Sequence, residues 1–122
     1  MVRNFDIYRT ILQRLEDCET PNCVLDAKDL SQYEEQEVAY HIRMLHENGM
    51  IKANILESSD GSNLILAALA RRLTDSGHDF LNSIRNDNLW SKIKKHFKDR
   101  SVDMTIELVT AIGKRFTDAM LT

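Results

Sequence analysis

The sequence has few residues that break or cross-link a chain: one proline, four glycines and two cysteines among 122 residues. So little proline and glycine leaves scant room for flexible linkers, and this length suits one domain. The longest apolar run covers residues 64–70 and is far too short to span a bilayer. No basic segment followed by an apolar segment comes after Met1. We therefore expect a cytoplasmic protein without membrane contact.

Sequence motifs of enzymes are also missing. The chain has no G-x-S-x-G elbow, glycine-rich phosphate loop, H-E-x-x-H or C-x-x-C pattern. A metal site at Cys18 and Cys23 would need two more ligands, and a disulfide across so short a loop is sterically possible, but we expect the reduced thiols of a cytoplasmic chain. His41, next to Ile42, is expected to be a packing residue. We expect no enzyme, no metal and no cofactor.

Charge is unevenly divided along the chain. Residues 1–60 carry six Lys or Arg and twelve Asp or Glu, a net charge of −6, whereas residues 61–122 carry ten and seven, a net charge of +3. The acidic half contains the helix that the pattern below would place against DNA. Its sign is unfavourable for an element that faces phosphates.

The segment at residues 31–51, SQYEEQEVAYHIRMLHENGMI, predicts the central helix of the fold. Its apolar residues recur at spacings of four and three, the period of one buried helix face: Val38, Ile42 and Leu45. Ser31 and Glu34 have the spacing of a capping box that would start the helix, and Asn48-Gly49 offers a left-handed stop. A helix that ends in this way and turns directly into a strand is typical of the recognition helix of a winged helix.

Two apolar stretches after this helix predict a β-hairpin. Its strands are expected at residues 51–56 and 64–70, with Asp60-Gly61 as the hairpin signal in the turn. Upstream, Val24-Leu25 could add a short strand. Only residues 27–31 remain for a second helix, which is therefore reduced to about one turn or replaced by a loop.

Further helices are predicted at both ends of the chain. Residues 5–16 form an amphipathic helix with Asn4 as its N-cap. After the hairpin, Thr74 is expected to cap a helix in which Gly77 allows close backbone approach.

The C-terminal part should hold two more helices. A break at residues 86–88 starts one that buries Leu89, Trp90, Ile93 and Phe97. Ser101 is expected to cap the last one, whose apolar stripe suits a symmetric homodimer: Ile106, Val109, Ile112, Phe116 and Met120.

Two motifs carry a resemblance to a known family. These are E-V-A-Y-H at residues 37–41 and L-T-x-x-G-H-x-F-L-x-x-I-R-x-D-x-x-W at residues 73–90. The chain resembles, from its first helix to about Phe116, short bacterial and phage proteins that are catalogued as a domain of unknown function and considered winged-helix-like. The resemblance implies this fold and a bacterial or prophage setting, with no catalytic residues to carry over. We predict a mainly α chain with a small antiparallel β-hairpin: one winged-helix domain at 1–122, with a core at 1–85 and a C-terminal helical extension at 86–122.

The expected function is that of a DNA-binding, transcription-regulator-like module. The candidate contacts lie on the outward face of the central helix and at the base of the wing: Gln36, Tyr40, Arg43, Lys52, Arg71 and Arg72. Glutamates at the start of the helix and a wing tip without Lys or Arg count against this reading. The alternative is a protein–protein interaction module without nucleic-acid binding, because an acidic face that also bears Tyr40 and Met44 suits a basic or apolar partner.

Overall fold

The computed structural model describes residues 1–121. It contains five helices, three strands and one 3₁₀ turn: α1 (Phe5–Glu16), β1 (Leu25–Asp26), the 3₁₀ turn (Ala27–Asp29), α2 (Glu35–Glu47), β2 (Ile51–Glu57), β3 (Ile65–Leu73), α3 (Asp75–Ile84), α4 (Asp87–Asp99) and α5 (Ile106–Leu121). The chain forms two compact units, 1–78 and 79–122, so that the boundary falls within α3. The predicted mainly helical chain with a small antiparallel sheet is confirmed. The domain bounds given above stay a prediction.

Helix α1 has the predicted bounds and the predicted cap. The Asn4 side chain accepts a hydrogen bond from the backbone N–H of Asp6, so it satisfies one of the amides that a helix start leaves unpaired. The apolar stripe is buried: Phe5, Ile7, Tyr8, Ile11, Leu12 and Leu15.

Helix α2 begins with a different cap from the one predicted. Glu34 itself is the N-cap, and its carboxylate accepts from the amides of Gln36 and Glu37, so the Ser31 capping box is wrong. The predicted stop is confirmed: Gly49 has φ +75°, its N–H donates to the His46 carbonyl, and the next N–H donates to the Leu45 carbonyl. This is the Schellman pattern, which needs a residue that tolerates left-handed φ.

The sheet is antiparallel with strand order β1-β3-β2. A short strand near Val24 is found, one residue later than predicted, and the second helix is reduced to the 3₁₀ turn, as expected. Strand β3 continues to Leu73, three residues beyond its predicted end. The two residues before Leu73 therefore belong to β3.

Two register shifts place one extra residue each in β3. Between the pairs Lys52↔Arg72 and Ala53↔Ala70, Arg71 has no partner, and Leu66 is the extra residue near the other end of the strand. Both extra side chains are exposed. A bulge of this kind re-aims a side chain, which explains why neighbouring residues of β3 can both face solvent.

The start of α3 confirms two predictions. The Thr74 hydroxyl oxygen accepts from the Gly77 N–H at 3.1 Å, which caps the helix. A Cβ at Gly77 would overlap the backbone carbonyl oxygen of Met50, so the chain approaches as closely as only glycine permits.

Residues 79–122 contain α4, α5 and the remainder of α3. Asn86 caps α4, whose predicted apolar face is buried: Leu89, Trp90, Ile93 and Phe97. Ser101 does not cap α5. It ends α4 with φ +53°, and the hydroxyl of Thr105 accepts from the Leu108 N–H at the start of α5.

The two cysteines, Cys18 and Cys23, form a disulfide. Reduced thiols were expected from the sequence, so this expectation is wrong for the structure. Among residues 1–121, none of the helices combines the length and apolar character that a membrane-spanning segment needs.

Candidate functional site

Gln36, the first of the candidate DNA contacts, is bonded to the hairpin. Its amide nitrogen Nε2 donates to the Ile65 carbonyl at 2.7 Å, and its oxygen Oε1 accepts from the Ile65 N–H at 3.2 Å. These two bonds use one donor and the acceptor of the amide. Gln36 therefore fastens α2 to the first residue of β3.

Arg43 is paired within the same unit. Its Nη1 lies 3.0 Å from a Glu57 carboxylate oxygen, and its Nε lies 3.7 Å from a Glu47 oxygen. The guanidinium carbon lies 5.5 Å from the centre of the Tyr40 ring, a cation–π distance. The three candidates on α2 thus contact the hairpin or one another, and the charge of Arg43 is compensated.

The other three candidates, Lys52, Arg71 and Arg72, lie together at the base of the hairpin and are called the hairpin cations below. Lys52 pairs with Arg72 across the strands, and the bulge brings Arg71 beside them, where its Nε donates to the Asn54 side chain at 2.7 Å. All three residues are exposed. Within residues 1–121, none of them forms an ion pair.

This arrangement is electrostatically unfavourable in the free protein. Like charges placed opposite each other across two strands are destabilising, and at about 4 Å the repulsion amounts to roughly 1 kcal/mol in water. An anion such as a phosphate would relieve it. The hairpin cations are therefore a candidate anion-binding surface.

A cleft lies between α2 and β2 and is called the α2–β2 cleft below. It has a volume of about 490 Å³ and is lined by Tyr40, Arg43, Met44, His46, Glu47, Ile55 and Glu57. At one end, Nδ1 of His46 lies 3.2 Å from the Ala53 backbone nitrogen and 3.3 Å from the Ile51 carbonyl oxygen, so it accepts from the first in one tautomer and donates to the second in the other. No local sequence pattern predicts this cleft, because the cleft depends on β2 being the outer strand of the sheet.

His41 is a satisfied packing residue, as predicted. The ring is fully buried; Nδ1 lies 2.7 Å from the Glu37 carbonyl oxygen, and Nε2 lies 2.7 Å from the backbone nitrogen of Asn4. The Asn4 N–H can only donate, so Nε2 accepts and Nδ1 carries the proton. Burial, the largest effect, lowers the pKa of His41.

Tyr8 packs edge-on against the His41 ring at 5.3 Å between ring centres. Burial raises the pKa of Tyr8 to about 12. Within residues 1–121 its buried hydroxyl has no hydrogen-bond partner. A neutral imidazole and a neutral phenol in one apolar core have no charge to offer a substrate, which agrees with a structural role for both.

The predicted dimerisation residues differ in how far they are exposed. Val109 is fully buried within the chain, Ile106, Ile112 and Phe116 are half-buried, and Met120 is exposed.

The lysines of α4 are mostly solvated: Lys95 pairs with Asp99 at 3.4 Å, and Lys94 lies over the Trp90 ring.

Comparison with known proteins places the chain in a family. The sequence profile of the family described as "Hypothetical protein (DUF2513)" matches residues 2–103. A protein of Haemophilus influenzae, named "Uncharacterized protein", is 31% identical over 121 residues, which cover 99% of each chain. No solved structure matches. The chain belongs to this domain-of-unknown-function family, which confirms the resemblance drawn from its motifs.

Proposed function

We propose that this DUF2513 protein is a winged-helix protein that binds double-stranded DNA through its sugar–phosphate backbone, as a regulator-like module of the phage or prophage type. The element order of residues 1–78 supports the winged-helix assignment. A helix, a short strand, one helical turn, a second helix and a hairpin follow one another, and the sheet order is β1-β3-β2. The hairpin then has the place of the wing.

The observation that carries the proposal is the unpaired cluster of hairpin cations. Lys52 and Arg72 face each other across the ladder, and Arg71 is added by a bulge. Phosphate contacts from Lys and Arg supply most of non-specific DNA affinity, and they bring no base preference. Sequence reading from α2 would require Gln36 or Arg43 to give up its bonds to the hairpin. We therefore propose backbone binding with weak base preference.

Fluorescence anisotropy with a labelled mixed-sequence duplex at low salt tests this function. The variant Lys52→Ala/Arg71→Ala/Arg72→Ala removes the cluster, and Lys92→Ala/Lys95→Ala is a control that removes exposed cations from α4. We expect the first variant to lose binding and the second to keep most of it, with circular dichroism confirming that both are folded. Absence of binding by the unchanged protein at low salt would overturn the proposal, as would equal losses per removed charge in both variants.

The second candidate function is protein docking without nucleic-acid binding. It is favoured by the α2–β2 cleft, where half-buried Tyr40 and Met44 lie beside the carboxylates of Glu47 and Glu57. Such a surface fits a basic or apolar protein partner better than it fits a phosphate. If the unchanged protein does not bind the duplex at low salt, this candidate replaces the first.

Self-association through α5 is a separate proposal. Ile106, Ile112, Phe116 and Met120 retain exposed surface on that helix, whereas Val109 does not. We expect a homodimer in sedimentation velocity experiments. A monomer at high protein concentration would end this part of the account.

A further inference from the structure

We propose that the α2–β2 cleft binds an extended, basic segment of a partner protein, which pairs with the free edge of β2 as a fourth strand. The inference rests on the second candidate function, protein docking, and names the chemistry of the partner. It does not depend on the hairpin cations.

The free edge of β2 supplies the backbone groups. Strand order β1-β3-β2 leaves one side of β2 without a neighbour, and the Ala53 N–H on that side is bonded to His46 instead. Backbone groups along an antiparallel strand alternate in direction, so those of Ile55 and Glu57 point the same way as that of Ala53. The Ser58 N–H points the other way and donates to the Leu64 carbonyl across the hairpin. This bond agrees with the alternation, in which odd-numbered residues of β2 face the free edge.

The residues that carry these edge groups line the cleft. Ile55 and Glu57 are among its lining residues, and within residues 1–121 their backbone groups form no bond on that side. A sheet edge with unpaired N–H and C=O groups is a template for another strand. His46 already occupies the Ala53 N–H, so pairing is confined to a short segment beginning at Ile55.

The opposite wall of the cleft selects the side chains of the occupant. Tyr40 and Met44 give the α2 wall an apolar part, and the guanidinium of Arg43 is shared by the carboxylates of Glu47 on α2 and Glu57 on β2. The excess charge is negative, as it is for residues 1–60 as a whole. A strand with alternating apolar and basic residues complements this wall, whereas a second copy of this acidic half would be repelled.

The probe for the test is a capped six-residue peptide of alternating Lys and Val, compared with its Glu/Val counterpart. NMR titration of the ¹⁵N-labelled full chain reports which amides shift and which become protected from hydrogen exchange. We expect the Lys/Val peptide to bind about tenfold more tightly, roughly the value of one charge-assisted hydrogen bond, and to protect the Ile55 and Glu57 amides.

Two variants separate backbone pairing from side-chain contact. Ile55→Pro removes the isoleucine side chain and a backbone N–H that faces the free edge, at a position where an edge strand tolerates proline. Ile55→Ala keeps that N–H and loses the side chain. We expect Ile55→Pro to weaken the Lys/Val peptide about tenfold and Ile55→Ala to have a much smaller effect. A Lys/Val peptide that is N-methylated at alternate amides gives the same comparison in the unchanged protein, should Ile55→Pro not fold.

The outcomes distinguish this inference from the function on which it rests. Shifts on α2 that survive both Ile55→Pro and N-methylation would overturn strand addition and leave protein docking in place. If neither the Lys/Val nor the Glu/Val peptide causes shifts, strand addition and protein docking are both overturned. Equal binding of the Lys/Val and Glu/Val peptides would overturn the basic partner.

Discussion

Acidification should destabilise the folded protein through His41, because its ring is buried and neutral. The neighbouring groups offer no strong compensation: Asn4 donates to Nε2, Tyr8 and Tyr40 contact the ring edge-on, and Glu37 presents its carbonyl oxygen. Burial lowers the pKa of His41 below its usual 6.5. Protonation would also turn Nε2 into a donor that faces the Asn4 N–H.

The sign and size follow from proton linkage. Below pH 6.5 the unfolded chain binds a proton at this histidine that the folded chain does not bind, so stability falls as pH falls. The free energy of unfolding falls by at most about 1.4 kcal/mol per pH unit, and this slope is reached only well below pH 6.5. Summed from pH 7.5 to 5.5, the loss is therefore at most about 1.4 kcal/mol. Once the pH is below the pKa of His41 in the folded protein, the free energy of unfolding no longer changes with pH through this group. In a chain of this length, such a loss lowers Tm by several degrees.

Urea unfolding at pH 7.5, 6.5 and 5.5 measures this effect. The unchanged protein is compared with His41→Gln, and His78→Gln, which removes an exposed imidazole, controls for the loss of one histidine. We expect His41→Gln to be less stable at pH 7.5 and to lose less stability on acidification. Parallel pH profiles for the unchanged protein and His41→Gln would refute the reasoning.

Three further substitutions test how the hairpin is positioned. Gly77→Ala should destabilise by about 2–3 kcal/mol, because the clash with the Met50 carbonyl outweighs the ~1 kcal/mol that alanine adds to a helix. Gly49→Ala, strained at positive φ but with open space around it, should lose only about 1 kcal/mol, and a reversed order in thermal unfolding would contradict this account. Gln36→Ala should lose about 1–2 kcal/mol and speed hydrogen exchange at the Ile65 amide, and an unchanged exchange rate would show that the side chain does not hold the strand.

Much of the fold is readable from local sequence. The bounds of α1, the stop at Gly49 and the close approach at Gly77 each follow from one residue type that a local backbone geometry requires. The hairpin follows from two apolar runs around Asp60-Gly61. Each of these signals depends on only a few neighbouring residues, so a short stretch of sequence is enough to predict it.

The two wrong caps show where local rules reach their limit. Serine is a strong N-cap residue, yet Glu34 caps α2 and Thr105 caps α5. Ser101 instead takes the left-handed position that ends α4. Several residues at a helix start can satisfy the same free amides, so the packing of the helix decides which one does.

The candidate site is less predictable because it depends on register. The sequence placed Gln36 and Arg43 on an outward face, and the position of β2 and β3 beside α2 gave these side chains partners on the hairpin. The extra residue at Arg71 is likewise set by how two strands pair. Such pairings join residues that are far apart in sequence, so no short pattern reports them.

The salt dependence of DNA binding tests the central claim most directly. If Lys52, Arg71 and Arg72 each neutralise one phosphate, the plot of log K against log salt should have a slope of about −2.7 for duplex DNA. Arg71→Ala/Arg72→Ala should reduce that slope to about −0.9, and the loss in affinity should be equal for unrelated duplex sequences. A slope that the two substitutions leave unchanged would contradict the account, since the phosphates would then be bound elsewhere on the protein.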